Sequence, residues 1–216
     1  LNNLNVAINA LNGSAGAVSG IIANDSTVNA TRTLTVGTNH GGGVFAAAIV
    51  DNTGGTSIGK VALTKIGTGS LTLAGDNTFT GATTITNGTL IADYASATPL
   101  TATPIRLRGG TLVVRGAGSH TIGALSLYQS GADFTSSALR IEDGATVTTD
   151  TFTGTGFVPF HIDITGGGKL VANTLSGASV TNGILTQGTG SRATLYVQDD
   201  GGLGFATQNG SNEIVR

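Results

Sequence analysis

The chain has 216 residues, of which only 10% are charged against an ordinary proportion of about 25%, with a formal net charge of −2. An apolar content of 39% with so little net charge excludes intrinsic disorder, and the absence of a basic surplus argues against nucleic-acid binding. Cysteine is absent, which removes disulfides and thiolate metal sites, and 35 glycines set against 3 prolines point to a chain of many tight corners.

In chain order, the recurring element is a short alternating run closed by Gly or Asn-Gly. It begins with Leu4–Ile8, within a segment that is already repeat-like at Leu1, as expected of a portion of something longer. Thr33–Val36 follows. The apolar run Val44–Val50 is far too short to cross a bilayer as a helix. Next come Ser70–Leu73, Thr84–Thr86 and Thr89–Ile91. Thr111–Val114, Ala124–Leu127, Ala138–Ile141, Lys169–Val171 and Ala193–Val197 complete the series. Alternation puts Leu, Val and Ile on one face of each run and Thr, Ser or Asn on the other. Asn12-Gly13, Asn87-Gly88, Asn182-Gly183 and Asn209-Gly210 suit hairpins, or the positive φ of a sharp solenoid corner.

A sandwich of hairpins and a solenoid both fit an all-β chain. The runs are shorter than the five to six residues usual for a sandwich strand. Small residues fill strands and turns alike, and a Gly–small–Leu pattern recurs at Gly69, Gly88, Gly110 and Gly123, and with Lys169 in the middle at Gly168. These features favour a right-handed parallel β-helix over residues 1–216, one domain, with rungs of about 20–25 residues.

Catalytic clusters are not evident. Glu142-Asp143 reads as a turn, and so does Asp199-Asp200-Gly201-Gly202, which lacks the alternating oxygen ligands of a calcium loop. His40 falls in a glycine-rich loop, and His120 and His161 stand at strand starts without metal-ligand spacing. Lys65 is expected at an exposed rung edge or turn. Phe79 is expected inside a corner or stacked on a neighbouring rung. Phe152, Phe157 and Phe160 with Pro159 break the Thr-Gly rhythm, as a protruding contact loop or as core packing.

Residues 61–92 carry Leu63, Lys65, Gly67, Gly69, Leu71, Leu73, Gly75, Asn77, Phe79, Gly81, Thr83, Ile85, Gly88, Thr89 and Leu90 in one continuous pattern. This stretch resembles the autotransporter-associated β-strand repeat, also called the passenger-associated transport repeat. The resemblance implies a β-helical passenger outside the cell or on a bacterial surface, with a role in display and adhesion and no catalytic residues or cofactors of its own. A non-catalytic structural or adhesive module follows, meeting a host-surface or matrix glycan or protein. Two alternatives stay open. One is a subunit of an extracellular fibre, built by end-to-end stacking of copies through strand edges left open at the ends of the rod. The other is a carbohydrate-active β-helix enzyme, which requires paired carboxylates in a groove.

Overall fold

A computed structural model describes residues 1–14, 20–95, 97–101, 103–128, 137–155, 160–165, 167–176, 183–187, 194–197, 205–208 and 213–215. Chain order alternates between two sheets. The first takes β1 (Val6–Ile8), β2 (Thr31–Val36), β4 (Lys60–Lys65), β6 (Thr83–Ile85) and β8 (Ile105–Leu107). It continues through β11 (Leu125–Tyr128), β13 (Ala145–Thr155), β15 (Lys169–Ser176), β17 (Thr194–Val197) and β19 (Glu213–Val215). The second takes β3 (Gly43–Phe45), β5 (Ser70–Leu73), β7 (Thr89–Asp93) and β9 (Thr111–Arg115), then β12 (Ala138–Ile141), β14 (Phe160–Ile164), β16 (Gly183–Gln187) and β18 (Phe205–Gln208). One further strand, β10 (Gly118–Ile122), lies beside β11 along the long β13: it pairs with Ala145–Thr149, and β11 pairs with Phe152–Thr155.

Every strand pairing among the described residues is parallel, so the hairpin sandwich is excluded and the chain is a parallel β-solenoid. Parallel neighbours need a crossover, and here each strand of one sheet is the crossover for the other. Such connections are right-handed in nearly all proteins. A third side, between the second sheet and the return to the first, is held by single contacts. Ile22 bridges Ile49, Thr78 N–H donates to Ile49 O at 2.9 Å, and Asn77 N–H donates to Thr98 O at 3.0 Å.

The register explains the core. In the first sheet, Leu34, Leu63, Thr83, Ile105, Leu125 and Phe152 stack on one another, and beside them Val36, Lys65, Ile85, Leu107 and Leu127. In the second sheet, Leu71, Leu90, Leu112, Leu139 and Ile162 form one inward column, and Leu73, Ala92, Val114, Ile141 and Ile164 the other. These apolar residues are all buried and form one continuous cluster. No rung could hide this face alone; the rungs above and below do it, at roughly 1.5–3 kcal/mol for each large aliphatic side chain. The period is uneven. Leu34 meets Leu63 after 29 residues, whereas Leu63 meets Thr83 after 20. That range is wider than the 20–25 expected, because the third side absorbs extra residues.

One further expectation changes, and one pair of alternatives narrows. Lys65 is not at an exposed edge. It is fully buried, between Val36 and Ile85 in an inward column. The alternation Val61, Leu63, Lys65 places it on the core face whatever its charge. Phe152 lies within β13 and is buried, so packing accounts for it, and Phe160 opens β14. Phe157 and Pro159 lie outside the described residues, as do Asp199-Asp200 and the corner residues Asn182 and Asn209.

Candidate functional site

The most ordered chemistry of the molecule lies where rungs meet at their corners. Between the first and second sheets, Gly37, Gly67 and Gly88 occupy successive rungs, all with positive φ. A Cβ at Gly67 would sit 2.3 Å from Gly37 O, and one at Gly88 would sit 2.4 Å from Gly67 O. Backbone therefore packs on backbone here, and glycine is required both for its dihedral and for the close approach.

Lys65 reaches into this corner from inside. Its Nζ donates to Ile66 O at 2.5 Å and to Gly67 O at 3.0 Å. The ammonium thus satisfies turn carbonyls that face inward. Burial disfavours the charged form and holds the Lys65 pKa below that of an ordinary lysine.

On the third side, buried asparagines tie rungs together. Asn77 Oδ1 accepts the Ile49 N–H at 2.6 Å, and Asn77 Nδ2 donates to Pro99 O at 2.9 Å and Gly75 O at 3.1 Å. One side chain therefore joins the preceding rung, its own and the next. Asn24, also fully buried, does the same lower down: Oδ1 accepts Asn3 N–H, and Nδ2 donates to Ala30 O and Lys60 O.

Carboxylates nearby reach a threonine one rung on. Asp25 accepts the N–H of Thr53 at 2.7 Å and its hydroxyl at 2.9 Å. Asp51 binds Thr80 in the same way and also accepts Val61 N–H at 2.9 Å. Asp76 accepts Thr98 N–H at 2.7 Å. These acids looked scattered in the sequence, and each serves its own rung junction.

Outside the second sheet, Asp93 and Arg115 are register partners and form an ion pair at 2.7 Å. Next to them Tyr94 stacks on His120, ring centroids 3.8 Å apart, and its hydroxyl donates to Leu100 O at 2.8 Å. Burial raises the Tyr94 pKa well above that of an ordinary phenol.

Among the described residues, those singled out from sequence are not brought together. His40 lies at a corner with φ +60, where its Nδ1 accepts Thr68 N–H, while His120 is in β10 and His161 in β14. Glu142-Asp143-Gly144 is a turn, with Ala145 N–H donating to Glu142 O. Phe79 is buried in the core, as expected. Among the described residues no group of three His, Asp or Glu could hold a metal, and no helix is long and apolar enough to cross a membrane. Asn24 and the Asp–Thr pairs had no signal beyond composition. Asn77 stood within the recurring pattern, with Phe79 two residues on in the same inward phase.

With the corners described, the class of protein is clear: a parallel β-solenoid whose rungs meet at close-packed corner glycines and are tied by buried asparagines, with a buried lysine bonding its own turn. The family model Passenger-associated-transport-repeat matches residues 63–92, which run from β4 to β7 and include Lys65, Gly67, Asn77 and Gly88. The match implies an exported, surface-associated protein. No curated protein and no solved structure matches the chain.

Proposed function

We propose that the chain is a non-catalytic structural segment of an exported bacterial surface protein, a rod that displays its outer faces and loops for adhesion. The observation that supports this most is the repeat at 63–92: Lys65 and Asn77, a charged and a polar position of the motif, are both buried and bonded within the fold. Lys65 bonds its own turn and Asn77 bonds three rungs, so the chemistry of these two positions goes into building the rod. The loop at Thr53–Thr56 is exposed, and Gly54 and Gly55 have open space around them. An epitope inserted there, in the parent polypeptide, is expected to be labelled by antibody on intact cells. Labelling only after permeabilisation would overturn the reading. Binding of the purified rod to arrays of glycans and matrix proteins tests the adhesive role.

A further inference from the structure

Two Asn–Gly pairs lie within the described residues, and the fold holds them in opposite ways. In Asn12–Gly13 the Gly13 N–H donates to Val44 O at 3.0 Å, and Asn12 Oδ1 accepts the Val44 N–H at 3.1 Å. Backbone nitrogen and side-chain amide are both bound to the following rung. In Asn87–Gly88 the Gly88 N–H instead donates to Oδ1 of Asn87 itself, at 2.7 Å. The nitrogen is thereby held beside Cγ, and the hydrogen bond polarises that carbonyl. Gly88 has φ +67 and no side chain to shield its nitrogen, and both residues are half-buried, so water reaches them.

We propose that Asn87–Gly88 is a self-modifying site that closes a succinimide in the folded protein. The Gly88 nitrogen attacks Asn87 Cγ and forms the N–Cγ bond. The Cγ–Nδ2 bond breaks, and the side-chain nitrogen leaves as ammonia with the proton that the Gly88 nitrogen gives up. Water then adds to one of the two imide carbonyls, leaving aspartate or isoaspartate at position 87. Solvent water is the only co-reactant.

The location gives the reaction a consequence. Asn87–Gly88 is the corner joining β6 to β7, and Gly88 O accepts Thr111 N–H of the next rung at 2.9 Å. A Cβ at Gly88 would lie 2.4 Å from Gly67 O and 2.5 Å from Gly69 O, so the corner has no spare room. Isoaspartate inserts a methylene into the backbone at this point, and both products add a negative charge. The corner of the repeat therefore ages, and the rung loosens with time.

The test is to incubate the folded protein at mildly alkaline pH and quantify both peptides by mass spectrometry. Asn87 is expected to convert faster than Asn12 by roughly fivefold or more, the factor that one retained hydrogen bond of typical strength gives. In guanidinium the two rates should converge, because the difference belongs to the fold. Equal rates in the folded protein, faster conversion of Asn12, or a difference that survives unfolding would overturn the proposal. Aged wild-type protein should also lose melting temperature, whereas Asn87→Gln, which disfavours the five-membered closure, should not. Equal losses in both proteins would count against the corner as the cause.

Discussion

Asp51 and Thr80 stand 29 residues apart in sequence and are bound twice, the threonine donating its N–H at 2.9 Å and its hydroxyl at 2.6 Å to the two oxygens of the carboxylate. The same carboxylate accepts Val61 N–H, so it joins three segments of chain. Asp51→Ala is expected to destabilise the rod by about 1–2 kcal/mol, limited by solvent access to the freed donors. A double-mutant cycle with Thr80→Val by denaturant unfolding should give a coupling of about 1 kcal/mol. Additive effects would show that the pair is incidental.

Asn77 should matter more, because its partners are buried. Truncation to alanine leaves Ile49 N–H and the carbonyls of Gly75 and Pro99 without it, and a loss of about 3 kcal/mol is expected. Asn77→Asp keeps an acceptor for Ile49 N–H but turns an oxygen toward the two carbonyls. It should therefore be no more stable than the alanine variant near neutral pH, as measured by thermal melting.

Lys65 and Tyr94 predict opposite arms of a pH profile. Burial holds the Lys65 pKa below its ordinary value. Between the depressed and the ordinary value the unfolded chain binds more protons than the folded one, so stability rises with pH across that window. Tyr94 is shifted upward by burial. Above about pH 10, the ordinary phenol value, the folded chain keeps a proton that the unfolded chain loses, and stability falls. Denaturant midpoints measured from pH 7 to 11 should rise and then drop. Lys65→Met should flatten the rise and Tyr94→Phe the drop.

Gly67 is a strict position of the corner column. Alanine there must adopt φ +65 and would place its Cβ 2.3 Å from Gly37 O, a backbone atom that cannot swing away. A loss of about 2 kcal/mol or more is expected. An unchanged melting temperature for Gly67→Ala would mean that the corner can open without cost.

Much of the fold was legible because burial from both neighbouring rungs imposes strict alternation on short strands. Ser70–Leu73 and Ala138–Ile141 coincide with β5 and β12. Gly88 carries the positive φ that its Asn-Gly pair suggested, whereas Gly13 does not and instead bridges Phe45. At Lys65 charge and phase conflict, and phase prevails: the alternation from Val61 through Leu63 points it inward, and it is buried. The β10–β13 pairing was hidden, since it depends on one long strand serving two short ones. Asn24 and the Asp–Thr junctions were hidden for another reason: the partners they bind on neighbouring rungs lie 21 to 36 residues away, and nothing local distinguishes a bonding Asp from a solvated one.

The uneven rung length has a consequence for how such a rod could diversify. Pairing fixes which residue sits over which, but it leaves the circumference free: between Leu34 and Leu63 the chain spends nine more residues than between Leu63 and Thr83, and both junctions stay in register. Length is therefore a surface variable and not a core one. The third side can lengthen, shorten or carry a new epitope while the interior stays the same, so the part exposed to the surroundings can change faster than the part that stands.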